Sequence, residues 1–273
     1  MQKILTTVLN AGYFDMGQAA LKSFMKHNSG WQLHVCDIGL TAEQKNEIQT
    51  VGTVTVRDAA QCSRWPNRFA KLLDLAELCK TPDSVILHLD GDTLTFGSID
   101  PLVVEAQKAK AQVVLCSMQS KIGDWLFGYD KMKDLYNKAE LWLDHHCYNS
   151  GVMLLQASEQ MSDIFLRAGE KCKQHTGLYC TGDQEALVAE LLDAAIPVMD
   201  MPKIYSYNPI STNDGDVALF NPPLLDNGTA LVILHIPLDK RLVFGPDASY
   251  SALGKWWQQW IARYKEEPWP TQE

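Results

Sequence analysis

The chain has 273 residues, and 24 Lys and Arg against 33 Asp and Glu leave a net charge of −9. Apolar side chains make up 46% and charged ones 21%, which argues against a disordered chain and suits a globular one that removes roughly three-quarters of its extended surface from water. The acidic balance and the lack of a dense Lys/Arg run argue against nucleic acid as the main partner; a small anionic ligand stays open, because a bound metal reverses the local field.

Lys3 to Leu9 reads as a strand. Residues 15 to 27 bring Met16, Ala19, Ala20, Ser23 and Phe24 to one helical face, with Asp15 as the expected cap. Gln32 to Asp37 is strand-like, Thr41 with Glu43 and Gln44 opens a second helix, and Val54 to Arg57 is a short strand. Asn67 to Cys79 spaces Phe69, Leu72, Leu73, Ala76 and Leu78 as a helix does, and Pro82 closes the region. Val85-Ile86-Leu87-His88-Leu89 is a continuous apolar run with one histidine, the pattern of a central parallel strand covered on both faces. Gln112 to Ser117 and Tyr148 to Leu155 read as strands, and Ser158 to Gln174 and Asp183 to Leu192 as helices. Residues 200 to 230 read as loops, Leu231 to His235 as a late strand and Ser249 to Lys265 as a final helix. Alternating β and α units predict an α/β fold around a parallel sheet. No repeat or low-complexity linker divides the chain, so residues 1–273 are expected to form one domain.

The opening MQKILTTVLN lacks the apolar stretch of a signal peptide, and no apolar run approaches a bilayer span. Seven cysteines with no C-x-x-C pair read as free thiols of a reducing compartment. The expectation is a soluble, cytoplasmic protein. His145-His146-Cys147 is set aside as a zinc site, because adjacent residues on an extended chain alternate faces. Trp256, Trp257, Trp260, Ile261 and Tyr264 form one stripe of the last helix. Glu266 and Glu267 beside its basic residues favour packing on the domain, with at most peripheral membrane contact.

The sharpest local feature is His88-Leu89-Asp90-Gly91-Asp92-Thr93, in which a buried strand runs straight into Asp-x-Asp. Ligands of open α/β sheets gather at the carboxyl ends of strands. Two carboxylates one residue apart on a turn loosened by Gly91 can both reach one hard cation. Taken alone, the same residues also make an ordinary β-turn.

Further segments come in a telling order. Asn67-Arg68-Phe69-Ala70-Lys71-Leu72 precedes the Asp-x-Asp strand, and Tyr148-Asn149-Ser150-Gly151-Val152-Met153-Leu154-Leu155 and Gly182-Asp183-Gln184-Glu185-Ala186-Leu187 follow it, with a weaker Leu234-His235-Ile236-Pro237. Together they resemble the retaining glycosyltransferases of the GT-A fold, the family that holds bacterial lipopolysaccharide galactosyltransferases and glycogenin. That family carries an apolar strand ending in Asp-x-Asp, then Phe-Asn-(Ala/Ser)-Gly-Val-x-Leu, then Asp-Gln-Asp-x-Leu. The resemblance spans about residues 3 to 241.

The resemblance implies a mostly parallel, Rossmann-like sheet flanked by helices, a nucleotide-binding half over about 1–115, and a less regular acceptor part over about 116–273. It implies a UDP-sugar donor, with galactose or glucose moved to a glycan or lipid-linked glycan, and Mn2+ (or Mg2+) on the diphosphate. Asp90, Asp92 and His235 would be the metal ligands. Lys71, Asn149 and Asp183 would hold the donor, Gln184 would lie beside the anomeric carbon, and Thr7 and Asn10 would cradle the uridine. Gln119 would touch the acceptor and Lys240 the pyrophosphate. Each has a plainer reading: His235 as a satisfied strand-end histidine, Lys71 as a solvated helix charge, Asn149 as a turn former, Asp183 as a helix cap. The chain also departs from the family's His-x-x-Gly-x-x-Lys-Pro-Trp, having neither that Gly nor Pro-Trp after His235 and placing Lys240 one residue short. A nucleotide-sugar-binding protein without turnover and a nucleotidyltransferase therefore stand as alternatives. The latter lacks a basic partner for Asn10-Ala11-Gly12.

Overall fold

The computed structural model describes residues 1–58, 66–121, 145–174, 183–207, 223–225, 227–236 and 251–271. Its strands are β1 (Gln2–Leu9), β2 (Gln32–Asp37), β3 (Gly52–Val56), β4 (Ser84–Leu89), β5 (Thr93–Thr95), β6 (Val113–Lys121), β7 (His146–Gln156), β8 (Val198–Asp200) and β9 (Ile233–His235). Its helices are α1 (Phe14–His27), α2 (Ala42–Gln49), α3 (Pro66–Leu78), α4 (Asp100–Ala109), α5 (Glu159–Gln174), α6 (Asp183–Asp193) and α7 (Ser251–Glu266). The main sheet has the order β3-β2-β1-β4-β7-β6-β8, and β5 and β9 make a second, two-stranded sheet.

The α/β class and the mostly parallel sheet agree with the expectation from sequence. β3, β2, β1 and β4 run parallel, β7 lies antiparallel between β4 and β6, and β8 joins β6 in parallel. All six residues of β4 are buried. Val85, Leu87 and Leu89 pack in one cluster with Leu21 and Phe24 of α1 and Leu102 of α4. Ile86 faces the other side, among Phe69 and Leu72 of α3 and Phe165 of α5. Cover on both faces is the reason the strand reads as an unbroken apolar run.

Local signals act as their chemistry requires, with one correction. α2 opens with a capping box between Thr41 and Gln44. Asp15 is not the cap of α1. Asn10 caps a 3-10 turn (Ala11–Tyr13) that leads directly into α1, and Asp15 falls in the first helical turn, where it pairs with Lys265.

The tryptophan stripe of α7 packs inward. Trp257 and Tyr264 are buried with Met16 and Ala19 of α1 and with Leu94 and Leu234 of the small sheet. Lys22 of α1 donates to the carbonyls of Tyr264 (2.9 Å) and Glu267 (2.6 Å), which places a cation at the negative end of α7. Among the described residues no helix is long and apolar enough to cross a membrane. Cys36 and Cys79 are buried free thiols, and burial pushes Cys79 up to about 12, which keeps it protonated and inert.

The topology fixes where a ligand can sit. The chain runs outward from β1 to β2 and β3, and α3 then carries it back to β4 on the other side of β1. The carboxyl ends of β1 and β4 therefore flank a switch point, the place where open α/β sheets leave a crevice.

Candidate active site

Asp90 is the first residue beyond β4. Its N–H donates to the Gly151 carbonyl on β7 (2.7 Å), and the Thr93 hydroxyl donates to the Asp90 carbonyl (2.9 Å). The Asp92 carbonyl accepts from the N–H of Ile236 (3.0 Å), and Thr93 pairs with His235 across β5 and β9. The small sheet thus brings a distant histidine to the acidic turn. One ligand atom from each of Asp90, Asp92 and His235 lies within 4.8 Å of the others.

The buried atoms there are short of hydrogen bonds among the described residues. Among the described residues, neither ring nitrogen of His235, which is 1% exposed, has a hydrogen-bond partner, nor does the buried Oδ1 of Asp92, which stands at an ion-pair distance of 3.4 Å from His235 Nε2. Leaving such groups unpaired is costly, so their convergence marks a place shaped for another species. Two carboxylates and an imidazole are a donor set for a divalent ion of the Mn2+ type. Burial works against charge on His235, but Asp92 and Asp90 outweigh it and raise its pKa above the ordinary value. The satisfied strand-end reading of His235 does not hold.

Gly151 makes room for that ring. A Cβ at 151 would lie 2.1 Å from Cε1, 2.4 Å from Nε2 and 2.9 Å from Nδ1 of His235. Around it β7 bulges: Leu115 pairs with Met153 but the next residue, Cys116, pairs with Asn149, so Ser150, Gly151 and Val152 stand against a single peptide link of β6. The Asn149 side-chain oxygen accepts from the Gly151 N–H (2.8 Å).

The bulge is tied to α3 and α6 by a buried charge cluster. Lys71, which is 5% exposed, pairs with the Asp183 carboxylate, stands 3.6 Å from Asp90 Oδ1 and donates to the Ser150 hydroxyl (3.2 Å). It is not a solvated helix charge. Burial opposes its ammonium, but Asp183 and Asp90 more than compensate and raise its pKa. Burial likewise opposes ionisation of Asp90, yet Lys71 and a hydrogen bond from His88 hold its carboxyl far below the usual range. The Ser150 hydroxyl donates to Asp183 (2.9 Å), Arg68 lies 3.7 Å from Asp183, and the Gln184 side-chain oxygen accepts from the Ser150 N–H (3.3 Å).

Of the other residues singled out from sequence, Asn10 caps the turn after β1, beside a cleft of about 380 Å³ lined by Asp37, Gly39, Lys45 and Arg57. Thr7 is wholly buried, and its hydroxyl has no hydrogen-bond partner among the described residues. Strand alternation puts it on the Leu5 and Leu9 face of β1, turned to the core. Gln119 belongs to β6, and its side chain lies outside the described residues, as does Lys240. The sequence reading overlooked His88, whose Nε2 is 2.9 Å from Asp90 Oδ1. The available signal was a single polar residue in an apolar strand, two places before an acid and hence on the same face.

No sequence-family model and no curated protein sequence matches the chain. Solved structures do. The chain is similar to the galactosyltransferase LgtC, solved in complex with donor and acceptor sugar analogues (TM-score 0.65, 14% identity, 97% of each chain covered). It is similar to the apo structure of the bifunctional glycosyltransferase WbbM (TM-score 0.63, 12% identity), covering 98% of this chain and 50% of that one. It is also similar to the apo form of the glycosyltransferase GlyE from Streptococcus pneumoniae TIGR4 (TM-score 0.58, 14% identity), covering 100% of this chain and 66% of that one. At these identities the likeness is one of fold, and the fold is the GT-A type that such glycosyltransferases have.

Proposed function

We propose that the protein is a metal-dependent glycosyltransferase that moves a hexose, galactose or glucose, from a UDP-sugar to a hydroxyl of a glycan or lipid-linked glycan, with retention at the anomeric carbon. The observation that carries this reading is the convergence of Asp90, Asp92 and His235, with buried atoms that have no hydrogen-bond partner among the described residues, at the switch point of a GT-A-type sheet. Neighbours of that fold include one solved with donor and acceptor sugar analogues.

Asp90, Asp92 and His235 would hold Mn2+, or Mg2+ in its place. Bound there, the ion supplies Lewis-acid stabilisation of the charge that develops on departing UDP. The remaining work falls to the chain's own side chains. Lys71 is a desolvated ammonium beside Asp90 and Asp183, so it stays charged next to the donor without a large water shell to lose. Asp183 and Asn149 orient the sugar hydroxyls, and Gln184 lies beside the anomeric carbon. A glutamine there is a poor covalent nucleophile. The acceptor hydroxyl therefore attacks on the face that UDP leaves, and its proton passes to the departing phosphate. Asn10 would adjoin the uridine, Lys240 the pyrophosphate and Gln119 the acceptor, all within one domain, whereas Thr7, turned to the core, would back the end of β1 without touching the nucleotide.

The test is release of UDP from UDP-galactose or UDP-glucose. The expected result is release that requires Mn2+ and is lost with a chelator or in Asp92→Ala. Full activity of Asp92→Ala with chelator present would refute the mechanism. Tight UDP binding without release would identify a binding protein instead.

A further inference from the structure

We propose that His88 is a positioning residue of the acidic turn: its imidazole N–H sets the Asp90 carboxylate in the orientation that holds a divalent cation. The proposal rests on the metal reading above and adds a residue to it.

His88 lies on β4, 1% exposed, flanked in register by Thr6 on β1 and Met153 on β7. A ring wedged between strands on the closely packed α3 side of the sheet has little freedom. Its Nε2 stands 2.9 Å from Asp90 Oδ1. An ionised carboxylate only accepts hydrogen bonds, so the nitrogen must carry the proton and donate. The two residues are i and i+2 on an extended chain and share a face. His88 sits below, in the core, while the Asp90 side chain is 38% exposed and opens to the crevice. Asp90 follows the last residue of the strand, where the backbone alone leaves its carboxylate free to rotate. The bond from His88 fixes that rotation from beneath, and Lys71 at 3.6 Å from the same oxygen steadies it from the side. Asp92 is set differently: its Oδ1 has no hydrogen-bond partner among the described residues, and it stands 3.4 Å from Nε2 of His235, itself a would-be ligand. The acidic pair is therefore unequal: Asp90 is held from the core by a residue that is not itself a would-be ligand, and Asp92 faces His235.

Donors that hold a ligand in this way typically change metal affinity by about 10–100-fold when removed. The experiment titrates Mn2+ into the wild type, His88→Phe, His88→Gln and Asp92→Ala, counting free ion by electron paramagnetic resonance. Each variant is checked for folding by its metal-free melting point. Phe keeps a ring of similar bulk without the donor, whereas Gln carries an N–H of similar reach. The expected result is a Kd about 10–100-fold weaker in His88→Phe, with much of the loss recovered in His88→Gln. A folded His88→Phe that binds Mn2+ like the wild type, while Asp92→Ala does not, would overturn the role of His88 and leave the metal site standing. Failure of the wild type to bind Mn2+ at all would remove the metal reading itself. Because a buried substitution can cost the fold, the wild type provides a second readout. Nitrogen-15 spectra should show a slowly exchanging His88 Nε2 proton that shifts on adding Mg2+, and an unprotonated Nε2 would overturn the proposal.

Discussion

Gly151→Ala tests the site through sterics alone. The added Cβ would meet His235 Cε1 at 2.1 Å, so the ring must retreat by about 1.3 Å to reach the 3.4 Å at which ordinary contact begins. The ring cannot swing away cheaply. It is 1% exposed on a strand paired to Thr93, and its backbone N–H donates to the Tyr207 carbonyl (2.9 Å). Overpacking of this kind costs about 1–3 kcal/mol, or a fall in melting point of about 2–10 °C for a chain of this size. Metal–ligand distances tolerate only about 0.2 Å, so Mn2+ binding should fall much further than stability. The assay pairs calorimetric melting with a Mn2+ titration of Gly151→Ala, His235→Ala and the double variant. The steric cost should shrink in the His235→Ala background, since the two residues are coupled. Gly169→Ala is the control: its Cβ meets Phe69 at an ordinary 3.5 Å, and losing a helical glycine should raise stability by about 0.5–1 kcal/mol. A Gly151→Ala protein with wild-type melting and Mn2+ affinity would refute the reasoning.

Other perturbations have equally definite outcomes. Lys71→Met leaves the buried Asp183 without its ammonium and should cost about 3–5 kcal/mol in urea unfolding; a cost near zero would show that the cluster carries no such burden. Asp37 is held below its ordinary pKa: burial opposes its ionisation, but the N–H groups of Leu40 and Gly39 and the ammonium of Lys45 outweigh it. A depressed carboxylate adds stability above its unfolded value of about 3.9 and loses it as the pH falls through the folded value. Asp37→Asn should therefore be less stable near neutrality and show a flatter acid limb in unfolding free energy against pH, and parallel profiles would contradict this. Trp257→Ala, at a fully buried position between α7 and α1, should cost about 3–5 kcal/mol by the same unfolding measurement; a loss below about 1 kcal/mol would mean that α7 does not close the core.

What the sequence reveals follows how local each determinant is. The apolar run of β4, the capping box at Thr41 and the stripe of α7 are local patterns, and each forms the element expected of it. β5 and β9 are three residues long and are held by pairing with each other, and β9 also by a bridge to Tyr207, so β5 escapes a reading by periodicity. The short α4 also escapes. It buries only Leu102, Val103 and Ala106, too few to set a helical period. The antiparallel setting of β7 is equally invisible, because burial on both faces gives the same apolar run in either direction.

The site divides the same way. The Asp-x-Asp turn stands out because a buried strand runs into it, whereas the place of His235 beside it came from family resemblance alone. Periodicity could not decide whether Lys71 faces water, because its burial is set by Asp90 and Asp183 from remote segments. Gly151 could not be read as the space for the His235 ring until β7 and β9 were brought together.

The most direct test is a crystal structure of the protein soaked with Mn2+ and UDP, with data collected to reveal anomalous scattering from manganese. The expected result is one strong peak within about 2.3 Å of carboxylate oxygens of Asp90 and Asp92 and a ring nitrogen of His235, with the diphosphate against it. A peak elsewhere, or none while the nucleotide is bound, would contradict the metal centre on which the proposed function depends.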